Sequence, residues 1–155
     1  MMPLDHIKHS SWFSLVLWAV AGLPTAAVVF VSSLLIDIDH WLWSIWAFGH
    51  WSPFKAVRWH LSTLKDPSSK YHTCCVFHTV EFLSALGAVA LFSPFARAVF
   101  VGCLFHIALD LYYHFSREPD RRVELRVKYL LTPFLSKLAR REVYVRPEAA
   151  AARRR

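Results

Sequence analysis

Cysteine is scarce in this 155-residue chain: Cys74, Cys75 and Cys103 neither share a CxxC spacing nor make up a disulfide framework. A cysteine-rich zinc module and a disulfide-stapled fold are therefore excluded, and the three read as small buried side chains. No small-residue cleavage site follows the first apolar run, which argues against a secretory signal peptide. Internal repeats are lacking too. Charge is thin where the chain is most apolar. Ahead of Ser116 the only acids are Asp5, Asp37, Asp39, Asp66, Glu81 and Asp110, and only six of the 18 lysines and arginines precede Arg117.

What is present is grease. Hydrophobic residues make up 55% of the chain, too many for an ordinary soluble domain of this length. Apolar runs broken only by small residues point to several membrane helices instead. The other 12 basic residues lie at or beyond Arg117, and they give the chain most of its +7 net charge. A basic tail can serve nucleic acid, but beside membrane helices it is read as a cytoplasmic face meeting anionic lipid. The division is residues 1–116, a helical membrane domain, and 117–155, a basic cytoplasmic helix and tail.

Along the chain, a short polar lead with Asp5, His6, Lys8 and His9 precedes the apolar run Trp12 to Leu23. Gly22-Leu23-Pro24-Thr25 reads as a break, because glycine ends helices and proline is tolerated at the start of the next. Thr25 to Ile36 is the second run, so 12–36 forms a hairpin of two short helices in preference to one tilted span. Asp37-Ile38-Asp39-His40 closes it. Trp41 to Trp59 then carries five tryptophans among His50, Lys55 and Arg58, the composition of an interfacial segment. Val76 to Phe92 and Phe95 to Phe115 are the third and fourth runs. In 121–141, apolar positions recur amid arginine and lysine at the spacing of an amphipathic surface helix kinked by Pro133. The predicted fold is an all-α membrane protein with four short transmembrane helices, an interfacial tryptophan-rich segment and a C-terminal amphipathic helix.

Ionisable residues in membrane-grade helices are expensive to keep and mark functional sites by default. Asp37 and His40 are three apart, His78 and Glu81 three apart, and His106 and Asp110 four apart, each spacing fit for one helical face. Threading the runs up and down gathers these pairs, with Asp39 and His6, at one level; His106 and Asp110 lie about 16 to 22 Å along the returning helix. The same threading puts 17 of the 18 basic residues on the site's side and Arg97 alone on the other. The positive-inside rule then faces the site to the cytoplasm. Imidazole and carboxylate together form the ligand set of zinc, manganese or iron. His50, His60 and His114 read as packing or interfacial residues, and His9 as a weaker candidate than His6.

Pro3-Leu4-Asp5-His6, Asp37-Ile38-Asp39-His40, the pair His72 and His78, and His106-Ile107-Ala108-Leu109-Asp110 together resemble the inner-membrane metal-dependent hydrolase family of bacteria and archaea. The resemblance covers roughly residues 1–112. It implies a helical protein of the inner membrane, multi-pass, with a divalent metal, zinc first, held by His6, Asp37, Asp39, His40, His72, His78, His106 and Asp110. It also implies hydrolysis; an ester or phosphoester of a lipid is the substrate class expected from the location, with Asp39 or Glu81 as candidate general base. The chain departs from the family pattern where Thr73 follows His72 in place of arginine and His78 falls six positions after His72, where the family has five. A di-iron membrane oxidoreductase and a metal or proton transporter use similar residues and stand as the alternatives.

Overall fold

A computed structural model describes residues 3–64 and 75–117. Among these, six α-helices form: α1 (Pro3–Ala21), α2 (Leu23–Leu35), α3 (Ile38–Phe48), α4 (Pro53–Leu64), α5 (Val80–Ala90) and α6 (Pro94–Arg117), with a short 3-10 turn over Val76–His78 before α5. No strand occurs among the described residues. His72, Cys74 and the expected amphipathic helix at 121–141 lie outside them.

The hairpin is present. Gly22 has φ 81 and ψ 159, a conformation open in practice to glycine alone, and Pro24 sits in the first turn of α2. Folded back there, α1 and α2 run antiparallel, and Ser10 meets Ser33 through their hydroxyls at 2.5 Å. Helix α1 begins earlier than the apolar run, at Pro3, and takes in the polar lead. The reason lies in its buried face: His6, Ser10 and Ser14 recur every four residues and point inward together. After α2 the chain turns at Ile36 and Asp37 and continues as α3, which ends at Gly49 in the left-handed region, closed by Gly49 N–H to the Ile45 carbonyl and His50 N–H to the Ser44 carbonyl. The tryptophan-rich segment is thus two helices, α3 and α4, joined at residues 49–52; Trp43 leans on Trp46, and Phe48 on Trp59.

Helix α2 lies between α1 and α6, and α5 covers another side of α6. Small residues make these contacts. On α2 the buried positions are Ala26, Val29 and Ser33; on α6, Ala98, Gly102, His106 and Asp110 form one stripe at intervals of four. A methyl group on Gly102 would collide with Ser32 Oγ and reach within 2.5 Å of the Val29 carbonyl, so the α2 and α6 backbones nearly touch there. The bulky apolar side chains point outward: Trp12, Leu15, Trp18, Leu35, Phe92 and Phe95 are all exposed. Small and polar residues inside with large apolar ones outside is the packing suited to lipid. Two helical stretches, Leu23–Trp46 and Pro94–Tyr113, are long and apolar enough to cross a bilayer.

At the turn between α5 and α6, Ser93 Oγ accepts the Ala96 N–H, and Arg97 Nε–H donates to the Ala90 carbonyl at the end of α5. Gly102→Val is expected to destabilise the fold by about 1–3 kcal/mol through overpacking, whereas Leu104→Ala, on the exposed face, should stay within about 0.5 kcal/mol. Denaturant titration in detergent micelles compares them; equal midpoints would contradict the close α2–α6 approach.

Candidate metal centre

Three chain segments converge where α2 meets α3. Asp37 caps the start of α3, and His40 sits one turn on. The two meet at 3.5 Å between His40 Nε2 and Asp37 Oδ1. His78 Nε2 also stands 3.5 Å from that oxygen, and His106 Nε2 3.4 Å from it. One carboxylate oxygen thus faces three imidazole nitrogens. Asp110, one turn beyond His106, brings its Oδ2 to 3.9 Å from His106 Nε2, and its Oδ1 accepts from His6 Nε2–H at 3.2 Å. The His6 ring stacks on that of His106 with centroids 4.0 Å apart.

Hydrogen bonds at the back of the rings decide which nitrogen faces inward. His106 donates Nδ1–H to the Ser33 carbonyl at 2.7 Å, which leaves Nε2 as an acceptor. Ser33 is in the last turn of α2, where carbonyls lack a regular intrahelical partner, so the imidazole takes up a group the helix end leaves over. His78 donates Nδ1–H to Asp39 Oδ2 at 3.1 Å, and the same oxygen accepts the Phe77 N–H at 2.9 Å. This is the carboxylate–imidazole arrangement that orients metal-binding histidines.

Lone pairs on His106 and His78 therefore point at a carboxylate oxygen, acceptor against acceptor. A cation or a proton between them removes that opposition, and a metal ion could do so for more than one ring at once. The spacing fits. An ion with ligands about 2.1 Å away in a tetrahedron sets them roughly 3.4 Å apart, close to the 3.4 and 3.5 Å seen around Asp37 Oδ1. His6 Nδ1, Asp39 Oδ1 and His106 Nε2 are buried with no hydrogen-bond partner among the described residues, and each could serve as a ligand atom. Three overlapping groups could hold an ion: Asp39, His40, Cys75 and His78; His6, Asp37 and His106; His78, His106 and Asp110. His78 and His106 are wholly buried, while the Asp37 side chain is 37% exposed and forms the open side. Leu35 and Ile38, both exposed, flank that opening.

Of the expected ligands, His6, Asp37, Asp39, His40, His78, His106 and Asp110 are brought into these groups; His72 lies outside the described residues. The shared helical face expected for His78 and Glu81 is absent. Thr79 is extended between them (φ -83, ψ 151) and caps α5, so His78 belongs to the 3-10 turn and Glu81 to the first turn of the next helix. Glu81 is half-buried and in none of the three groups. His9 is exposed, and His50 packs on Phe48 with its Nδ1 3.3 Å from Ser44 Oγ. Cys75 is a residue that sequence reasoning missed. Its signal is the Cys-x-x-His interval to His78, easily passed over where paired cysteines are the pattern sought.

No family model matches the chain, and no curated protein or solved structure matches it. The site stands on its own geometry. Asp39→Asn should leave His78 poorly oriented and weaken metal binding about 10–100-fold. Competition against a chelating dye measures it, and unchanged affinity would remove Asp39 from the orienting role.

Proposed function

We propose that this chain is a membrane-embedded, metal-dependent hydrolase whose site opens at the cytoplasmic surface of an inner membrane. The observation that carries the proposal is the set of three imidazole nitrogens 3.4 to 3.5 Å from one oxygen of the half-open Asp37. The likeness to the inner-membrane hydrolase family rests on the motifs alone and agrees with this set.

His6, Asp37 and His106 would hold the ion, zinc by its preference for imidazole with carboxylate, with His40 and His78 facing the same Asp37 oxygen and Asp110 holding His6 from behind. When bound, such an ion polarises the scissile group and supplies hydroxide near neutral pH. The protein's part is otherwise positional. Ser33 and Asp39 fix the two buried rings, while the partly exposed Asp37 and His40 form the accessible side of the site. With this one ion bound, Asp39 Oδ1, buried and without a hydrogen-bond partner, is the favoured proton acceptor over Glu81. The exposed Leu35 and Ile38 beside the opening suit an ester or phosphoester carried on a lipid. Lys8 beside His6 on α1 and Arg117 at the site-side end of α6 outnumber Arg97 at the opposite end of α6, a balance that agrees with a cytoplasmic opening by the positive-inside rule.

A transporter would need polar residues continuing to the far side. The buried polar stripe of α1 stops at Ser14, and Trp18 and Val20 beyond it are exposed and apolar. That favours a closed pocket over a conduit.

Detergent-purified protein should contain a divalent metal, with Asp37→Ala and His106→Ala each losing most of it by elemental analysis. Wild-type protein free of metal sinks the proposal. Full occupancy in both variants would instead refute the ligand assignment. Metal-loaded protein should release product from lipid esters or phosphoesters in vesicles, and a chelator should stop it.

A further inference from the structure

The donors of the cluster are not all alike. His6, Asp37, His106 and Asp110 offer nitrogen and oxygen. On the α3 side a sulfur joins them: Asp39, His40, Cys75 and His78 each present one donor atom, all within 4.8 Å of one another. Cys75 is fully buried in the extended residue just before the 3-10 turn, which carries it toward α3. Its Sγ lies 2.8 Å from His40 Nδ1 and 3.6 Å from His40 Nε2. In a tetrahedral site with metal–sulfur about 2.3 Å and metal–nitrogen about 2.1 Å, the sulfur–nitrogen edge is roughly 3.6 Å. The sulfur faces the Nδ1 side of the ring more closely than such an edge, so an ion shared by Cys75 and His40 requires a turn of the imidazole.

A second observation points the same way. Asp39 is 5% exposed, and its two oxygens are unequally served. Oδ2 accepts from Phe77 N–H and His78 Nδ1–H, while Oδ1 has no hydrogen-bond partner. A buried anionic oxygen left so is costly, and a cation beside it removes the cost.

We propose that Cys75 is the thiolate ligand of a second divalent-ion subsite, completed by Asp39, His40 and His78, beside the nitrogen–oxygen subsite of His6, Asp37 and His106. The proposal rests on the metal-centre reading above and deepens it. Binding is an exchange without redox change: the metal–sulfur bond forms as the Cys75 S–H bond breaks, and the proton leaves to water on the open side, by His40 and Asp37. Thiolate is soft, so this subsite should favour zinc or cobalt over magnesium or manganese.

Cobalt(II) added to the full-length, detergent-purified chain tests this. Wild type should show the visible bands of tetrahedral cobalt together with a thiolate-to-cobalt charge-transfer band in the near ultraviolet. Cys75→Ser should lose the charge-transfer band and about one equivalent of cobalt while keeping visible absorption from the other subsite. Cys103→Ser, in the apolar core against Ile36 and Ile107 and in none of the ligand groups, should change neither. Bound cobalt without the charge-transfer band, or a band that survives Cys75→Ser, overturns the thiolate subsite and leaves the nitrogen–oxygen centre standing. No bound cobalt at all overturns both. Should Cys75→Ser fail to fold, N-ethylmaleimide labelling of wild type, mapped by mass spectrometry, decides: cobalt is expected to protect Cys75. Equal labelling with and without cobalt would overturn the thiolate ligand.

Discussion

The centre depends on how closely α6 can approach α2. Gly102 has no side chain to hold the helices apart, and one turn later His106 reaches the Ser33 carbonyl at 2.7 Å. That single hydrogen bond fixes the ring's tautomer, turns Nε2 toward Asp37, and satisfies a carbonyl at the end of α2. Ser33 meanwhile ties α2 to α1 through its hydroxyl contact with Ser10. Three helices are therefore registered by one residue. A side chain at 102 would lift His106 away from both Ser33 and Asp37.

Around this junction the usual distribution of residues is reversed. Alanine, serine and glycine fill the interior, and leucine, tryptophan and phenylalanine cover the outside. Small residues let helices touch along their backbones, where dispersion and interhelical hydrogen bonds hold them together without a water-driven core. They also leave room at one end for imidazoles and carboxylates. Clustering those groups is unfavourable in a low-dielectric setting, most of all where lone pairs oppose one another. A divalent cation held there would reverse the sign of that interaction and turn the feature that weakens the bundle into a clamp across α1, α3 and α6 and the 3-10 turn.

Much of the centre is legible in the amino-acid order alone. His106 with Asp110, and Asp37 with His40, follow from helical spacing, because residues three or four apart share a face whatever surrounds them. The Gly22 break is legible for a similarly local reason: few residues but glycine take that backbone conformation. Features set between helices are not. Nothing local marks Gly102 as the point of contact, or the Ser33 carbonyl as the partner of His106. His78 reads as the start of a helix because Thr79, which ends the 3-10 turn and caps α5, is an ordinary residue in sequence. Cys75 is hidden for want of a second cysteine, although its neighbours in the cluster are histidines and an aspartate. The start of α1 is hidden because its inward residues are polar, and apolar runs mark where a helix meets lipid, not where it begins.

His6 and Asp110 are hydrogen-bonded across 104 positions of chain. During synthesis the first of them leaves the ribosome long before the second exists. Until α6 is inserted, the early helices carry His6, Asp37 and His40 without the residues that complete their environment. The cluster is thus completed only at the last stage of folding, and any ion it could hold would find all its ligands only then.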